Sequence, residues 1–225
     1  MNSIVLDLLW SGFQPKRIIG LPLGRLVTAA RRAGGQIVVF SPLPFSDRNA
    51  ADLRGVGEPA VFVIPGRFHD EFFFDYLQAF PKTLFLAGEA SIKDHPSWRL
   101  QLLSKDRPEL DGFDIIKVEG MPSVQEHVFF HETTRSLIVA DLLFNAVEKG
   151  GWLNRQLLKT AGMDDGPRAS RLWRLCVEDC SKFQASLKQI RQWDFVRIIP
   201  GHGRVIEQDA KQVFERAFSS WLDKA

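Results

Sequence analysis

Three apolar runs in this chain end in residues that can hold a metal ion or move a proton. Val61-Phe62-Val63-Ile64 leads into Pro65-Gly66-Arg67-Phe68-His69-Asp70-Glu71, Leu137-Ile138-Val139-Ala140 into Asp141, and Phe195-Val196-Arg197-Ile198-Ile199 into Pro200-Gly201-His202-Gly203. In layered α/β proteins such strand ends gather at one edge of a sheet, where loops line a crevice. Asp141 alone reads better as the cap or turn of the next element than as a ligand. Three such ends together point to a shared centre. Imidazole and carboxylate groups from separate strands suit zinc, iron or manganese, because each ligand must be deprotonated and firmly aimed. The glycines on either side of His202 let the backbone approach a ligand closely.

The elements that must position these residues read as alternating strands and helices. Arg25 to Arg31 and Gln36 to Phe40 flank Gly34-Gly35, a hairpin signal. Ser46 or Asp47 caps a short helix reaching about Leu53, and the strand Ala60 to Ile64 follows. Helical spacing covers Phe72 to Phe80 and stops at Pro81; a strand over Thr83 to Leu86 and a helix over Ser97 to Leu103 come next. Phe113 to Val118, Glu126 to Phe130 and Ser136 to Ala140 read as a meander. Trp152 to Thr160 is amphipathic, and Asp164-Asp165-Gly166-Pro167 is a turn. Ser170 to Trp193 carries a helical period through Leu172, Leu175, Cys176, Phe183, Leu187 and Ile190. Phe195 to Ile199 is the last strand, and a helix from Ile206 turns Val213, Phe214, Phe218 and Trp221 inward. With no repeat or linker visible, residues 1–225 read as one α/β domain, a layered sandwich of mixed sheets.

Composition narrows the function classes. The chain has 225 residues, 45% hydrophobic and 25% charged, which excludes disorder. At this length roughly 70% of the unfolded surface can be buried without disulfide or structural metal. Net charge is +2 and the basic residues are scattered, so no concentrated positive face is expected for nucleic acid. Arg168, Arg171 and Arg174 form one basic helix face, read as solvated. Ile4 to Trp10 is apolar, but it is short, contains Asp7 and follows no basic residue, unlike a signal peptide. No window reaches the length of a membrane span. Cys176 and Cys180 lie four apart in the expected helix, too widely spaced for a disulfide, and are read as buried thiols in a reducing cytoplasm.

The His/Asp loop after the first apolar strand, the phrase Ser136-Leu137-Ile138-Val139-Ala140-Asp141-Leu142-Leu143-Phe144 and Ile199-Pro200-Gly201-His202-Gly203 together resemble the metallo-β-lactamase superfamily, from about Arg25 to Glu207. The resemblance implies a four-layer αββα sandwich with two mixed β-sheets and a metal centre at one edge. It also implies hydrolysis of esters, lactones, thioesters, amides or phosphodiesters. In that superfamily the residue at Asp141 bridges two metals and the one at His202 binds the second. The first loop of the superfamily reads His-x-His-x-Asp-His, and an ungapped overlay puts Gly66, Phe68, Asp70 and Glu71 in those places. Both leading histidines are lost. The set Asp70, Asp141 and His202 survives, with Glu71 in place of a His, and His69 one residue off register but able to reach the crevice. The pattern resembles a branch with an eroded first motif.

The site expected from this reading has His69, Asp70, Asp141 and His202 as metal ligands, with Asp70 and Asp141 as the catalytic carboxylates. One ion of zinc, iron or manganese is expected rather than two, acting on a small-molecule substrate. The alternative is a non-catalytic, metal-free member of the fold, structural or ligand-binding, in which Asp141 and His202 tie two strand ends together. A nuclease would need a basic channel, which the near-neutral charge disfavours. His127 is read as a solvent-facing strand residue near a place where the superfamily supplies another His, His131 as a surface turn residue, and His95 as the start of a helix. Phe68, Phe72, Phe73, Phe74 and Tyr76 read as core, with a substrate-pocket wall as the other reading.

Overall fold

The computed structural model of the chain describes residues 1–18, 20–32, 34–146, 151–163, 166–170 and 174–223. The strands are β1 (Asn2–Val5), β2 (Leu9–Gln14), β3 (Arg17–Ile18), β4 (Leu21–Pro22), β5 (Arg25–Arg31), β6 (Ile37–Phe40), β7 (Pro59–Ile64), β8 (Leu84–Ala87), β9 (Gln101–Leu102), β10 (Phe113–Lys117), β11 (His127–His131), β12 (Ser136–Ile138) and β13 (Arg197–Ile199). The helices are α1 (Asp47–Val56), α2 (Phe73–Ala79), α3 (Glu89–Asp94), α4 (Trp152–Ala161), α5 (Cys180–Ile190) and α6 (Ala210–Leu222). One sheet runs β1-β2-β5-β6-β7-β8-β9, and a second runs β10-β11-β12-β13. Both are mixed. The pairs β6/β7, β7/β8, β8/β9 and β12/β13 are parallel, and the other pairs of the two sheets are antiparallel.

The layering follows from the two-residue period of the strands. On β7, Val61 and Val63 face the second sheet, while Phe62 and Ile64 face α1 and α2. Phe40, Leu86, Phe129, Ile138 and Ile199 complete the layer between the sheets, with the Phe40 and Phe129 rings 4.8 Å apart. On the far side of the second sheet, Val128, Phe130, Leu137 and Ile198 meet Phe183, Leu187 and Ile190 of α5 and Phe214 and Phe218 of α6. Each fully buried residue of this size contributes about 1.5–3 kcal/mol of transfer free energy. The result is the expected αββα sandwich of two mixed sheets.

Several local expectations differ. The segment 97–103 is not a helix: Gln101–Leu102 pairs in parallel with β8. The Arg99 guanidinium donates to the carbonyls of Leu77, Phe80 and Thr83, which holds the chain across the end of α2 instead of letting it coil. His127 and His131 are buried rather than solvent-facing, because β11 is an interior strand covered on both faces. His131 stacks on Phe113 at 4.7 Å and shares a hydrogen bond with Thr134 at 2.8 Å. His95 ends α3 instead of beginning a helix. Of the aromatic run, Phe73 and Tyr76 are core as expected, whereas Phe68 and Phe74 are exposed.

In the stretch 170–193 helix is formed over Cys180–Ile190; Leu172 and Arg171 lie outside the described residues, as do Asp164 and Asp165. Both cysteines are free, as expected, but Cys176 is half-buried and precedes α5, while Cys180 begins α5 and is exposed. No described helix is long and apolar enough to cross a membrane.

Candidate functional site

Three backbone arrangements deliver the site. After β7 the chain makes a single 3-10 turn over Arg67–His69, with the His69 amide donating to the Gly66 carbonyl at 2.9 Å. That turn points the His69 ring inward, where it is buried. After β12 the amides of Ala140 and Asp141 donate to the two oxygens of Glu126, at 2.7 and 3.0 Å. One buried carboxyl group thereby fixes the backbone from which the Asp141 side chain extends. After β13 the Gly201 amide donates to the Ala140 carbonyl at 3.1 Å, and the Leu26 amide donates to the Gly201 carbonyl at 2.8 Å. His202 thus sits where both sheets meet.

The three side chains converge. His202 Nε2 is 3.1 Å from Asp141 Oδ1, His69 Nε2 is 3.4 Å from Asp141 Oδ2, and one ligand atom from each residue lies within 4.8 Å of the others. Ligands about 2.0–2.2 Å from a tetrahedral ion stand roughly 3.3–3.6 Å apart, close to the two distances from Asp141. His202 Nδ1 donates to the Gly24 carbonyl at 2.6 Å, which aims Nε2 at Asp141, the arrangement typical of a metal-ligating histidine. His69 Nε2 and Asp141 Oδ2 are buried and make no hydrogen bond. Two orphaned atoms facing each other across such a gap are what a ligand set looks like before its ion arrives. The residues therefore fit one ion.

Charge at the site is set by burial and neighbours. Burial, reinforced by the nearby Arg25 guanidinium, pushes His69 down to about 3, so the ring is neutral at physiological pH. Burial alone would raise Asp141, but the two imidazoles outweigh it and hold this carboxyl well below the usual range. Burial and then the Asp141 charge push Glu126 up to about 8, against the backbone amides that favour its ionised form. Arg25, 2% exposed, places Nη1 2.6 Å from His69 Nδ1, and Ser41 Oγ is also 2.6 Å from Nδ1. Ser41 holds this position at φ 50°, in the left-handed region that non-glycine residues seldom adopt.

His69, Asp141 and His202 come together as the sequence suggests. Asp70 does not join them. The 3-10 turn ends at His69, and Asp70 points away toward the end of α3, where its Oδ2 accepts from His95 Nε2 at 2.6 Å. Glu71 is also outside the cluster: it is half-exposed, pairs with Lys16 and lies 3.8 Å from Arg25 Nη2. The ungapped overlay is therefore out of register, and His69 rather than Asp70 is the first-loop member of the cluster. His127 is apart from it, beside Gly88. Sequence reading missed Glu126 and Arg25. Their available signal was a lone charge opening an apolar strand: Glu126 before His-Val-Phe-Phe, Arg25 before Leu-Val-Thr-Ala-Ala.

The glycines around His202 give a direct prediction. A Cβ on Gly201 would lie 2.4 Å from His69 Cε1 and 2.8 Å from the Ala140 carbonyl oxygen. Gly201→Ala should displace the His69 ring and cost about 1–3 kcal/mol, read as a lower denaturant midpoint. Gly203, at φ +92° and with a Cβ position 1.7 Å from the Asn145 oxygen, should tolerate alanine still less.

No protein-family model and no curated protein sequence matches the chain. Solved structures do. A metallo-beta-lactamase from Pontibacter korlensis is similar over 99% of this chain and 98% of its own, with TM-score 0.64 and 11% identity. The FIM-1 metallo-beta-lactamase from Pseudomonas aeruginosa, in its mono-zinc form, is similar over 98% of this chain and 95% of its own, with TM-score 0.64 and 11% identity. The flavodiiron core of Flv1 from Synechocystis sp. PCC6803 covers 98% of this chain and 60% of its own, with TM-score 0.67 and 12% identity. At such identities the likeness fixes the fold: the chain has the metallo-β-lactamase fold, along essentially its whole length.

Proposed function

We propose that the chain is a hydrolase of an ester, lactone, thioester or similar small substrate, using one divalent ion held by His69, Asp141 and His202. The observation that carries this reading is the facing pair of buried, unpartnered atoms, His69 Nε2 and Asp141 Oδ2, beside a His202 ring aimed by the Gly24 carbonyl. Two imidazoles and one carboxylate accept zinc, iron or manganese alike. When bound, such an ion supplies Lewis-acid polarisation of the scissile group and activation of water at neutral pH. Three protein ligands leave a position open, as catalytic sites do. In this scheme Asp141 contributes charge, His202 is held in its ligating tautomer by Gly24, and Glu126 keeps the Asp141 backbone in place.

Metal analysis of protein purified without chelator tests the reading: roughly one ion per chain supports it, and less than about a tenth of one defeats it. The second reading, a metal-free structural or ligand-binding protein, is favoured by one specific observation. The Arg25 guanidinium already provides a buried positive charge against His69.

A further inference from the structure

His69 Nδ1 has two partners with different capacities. A serine hydroxyl can donate or accept, whereas a guanidinium can only donate. With Arg25 Nη1 and Ser41 Oγ each 2.6 Å away, Nδ1 must be an acceptor and carries no proton. A neutral imidazole then has its proton on Nε2, the nitrogen that faces Asp141 Oδ2 at 3.4 Å. That proton occupies the lone pair an ion would need. At His202 the contact is reversed: Nδ1 donates a hydrogen bond to the Gly24 carbonyl, so its proton is already satisfied away from Nε2. The two histidines of the centre thus differ, His69 alone being held in a tautomer that opposes ligation through Nε2.

From this we infer that Arg25 is a gate on the centre: while its guanidinium rests on His69 Nδ1 it favours the tautomer that opposes the ion and lowers metal affinity, and loss of the guanidinium raises that affinity. Without the guanidinium the single imidazole proton can reside on Nδ1, where Ser41 Oγ accepts its hydrogen bond, and the Nε2 lone pair is then free toward Asp141. In the position where it touches His69, the guanidinium is also held by Glu71 Oε2, 3.8 Å from Nη2, and by the Phe72 ring, 5.6 Å from the guanidinium carbon. Arg25 Nε, buried without a hydrogen-bond partner, also shows that the guanidinium is incompletely satisfied where it rests. Removing a buried cation from beside the site further favours a divalent ion on electrostatic grounds. Arg25 is a positioning residue here, acting through His69. The inference rests on the proposed metal-binding reading.

The test combines a spectroscopic and a binding measurement. Nitrogen-15 NMR of the imidazoles in the metal-free parent is expected to show His69 protonated on Nε2 and His202 on Nδ1; His69 protonated on Nδ1 overturns the gate whatever the variants do. Calorimetric titration with Zn(II) is expected to give at least about tenfold tighter binding for Arg25→Met than for the parent, with the gain lost in the Arg25→Met, Ser41→Ala double variant. Equal, measurable Zn(II) affinity in the parent and Arg25→Met overturns the gate and leaves the metal centre standing. Absence of binding in both overturns the gate together with the metal centre. The NMR measurement needs only the parent protein, so poor folding of the variant does not leave the question open.

Discussion

Asp141→Asn protein is expected to lose divalent-metal affinity by at least about 100-fold, and any hydrolytic turnover with it, while melting within a few degrees of the parent. The substitution removes the only carboxylate of the three-residue cluster and nearly nothing else. An asparagine there has the same shape, its amide nitrogen can donate to His202 Nε2, and its oxygen can accept from His69 Nε2. Both contacts of residue 141 with the imidazoles can therefore be met by a neutral side chain. Asp141→Ala is different. It too loses the ion, but it also strands His202 Nε2, 3.1 Å from Asp141 Oδ1 in the parent, and is expected to cost about 1–3 kcal/mol. Metal titration and denaturant unfolding of the pair separate ligation from structure. Asp141→Asn protein that binds metal as the parent does would remove Asp141 from the centre and the proposed hydrolase with it. If the metal-free reading holds, the two variants differ in stability alone.

The parts of this site that were legible in the sequence are those encoded by position along a strand. A hydrophobic run that stops at Asp141 or at Pro200-Gly201-His202-Gly203 declares a strand end, and strand ends in a layered fold meet at one edge. Which residue of Phe68-His69-Asp70-Glu71 turns inward was not legible. A single 3-10 turn after β7 rotates each successive side chain by about 120°, so a shift of one residue exchanges the interior for the surface. His127 and His131 were misread for a related reason. Alternation along β11 puts them on one face, but that both faces of the strand are covered depends on α5, α6 and the other sheet, which are distant in the chain. Arg25 was hidden by its charge: a basic residue at the head of a strand reads as solvated, and its burial appears only with its contacts to His69, Glu71 and Phe72 from a distant loop.

Glu126 carries the other large effect. Its two oxygens accept from the amides of Ala140 and Asp141 in a place that water does not reach. Glu126→Leu leaves both donors unpaired and is expected to lower stability by about 2–5 kcal/mol and to loosen the backbone that carries Asp141. The same carboxyl shapes the pH profile of the metal-free protein. Held up to about 8 when folded, and near 4.3 when unfolded, it keeps a proton in the native state that the unfolded state has lost. Stability must therefore fall as pH rises between those values, by up to about 1.4 kcal/mol per pH unit. His69 and His127 act oppositely, being pushed down to about 3 and about 4, in each case first by burial. The unfolded state takes up their protons below about 6.5, so stability falls as pH drops from there. Two imidazoles outweigh one carboxyl on the acid side, and the carboxyl acts alone above about 6.5, which puts the maximum near that pH. Glu126→Gln cannot titrate and should abolish the decline from about pH 6.5 to 8 while leaving the acid limb intact. Urea unfolding from pH 5 to 9 with chelator present measures both limbs; an alkaline decline that persists in Glu126→Gln would show that another group, not this buried carboxyl, holds the proton.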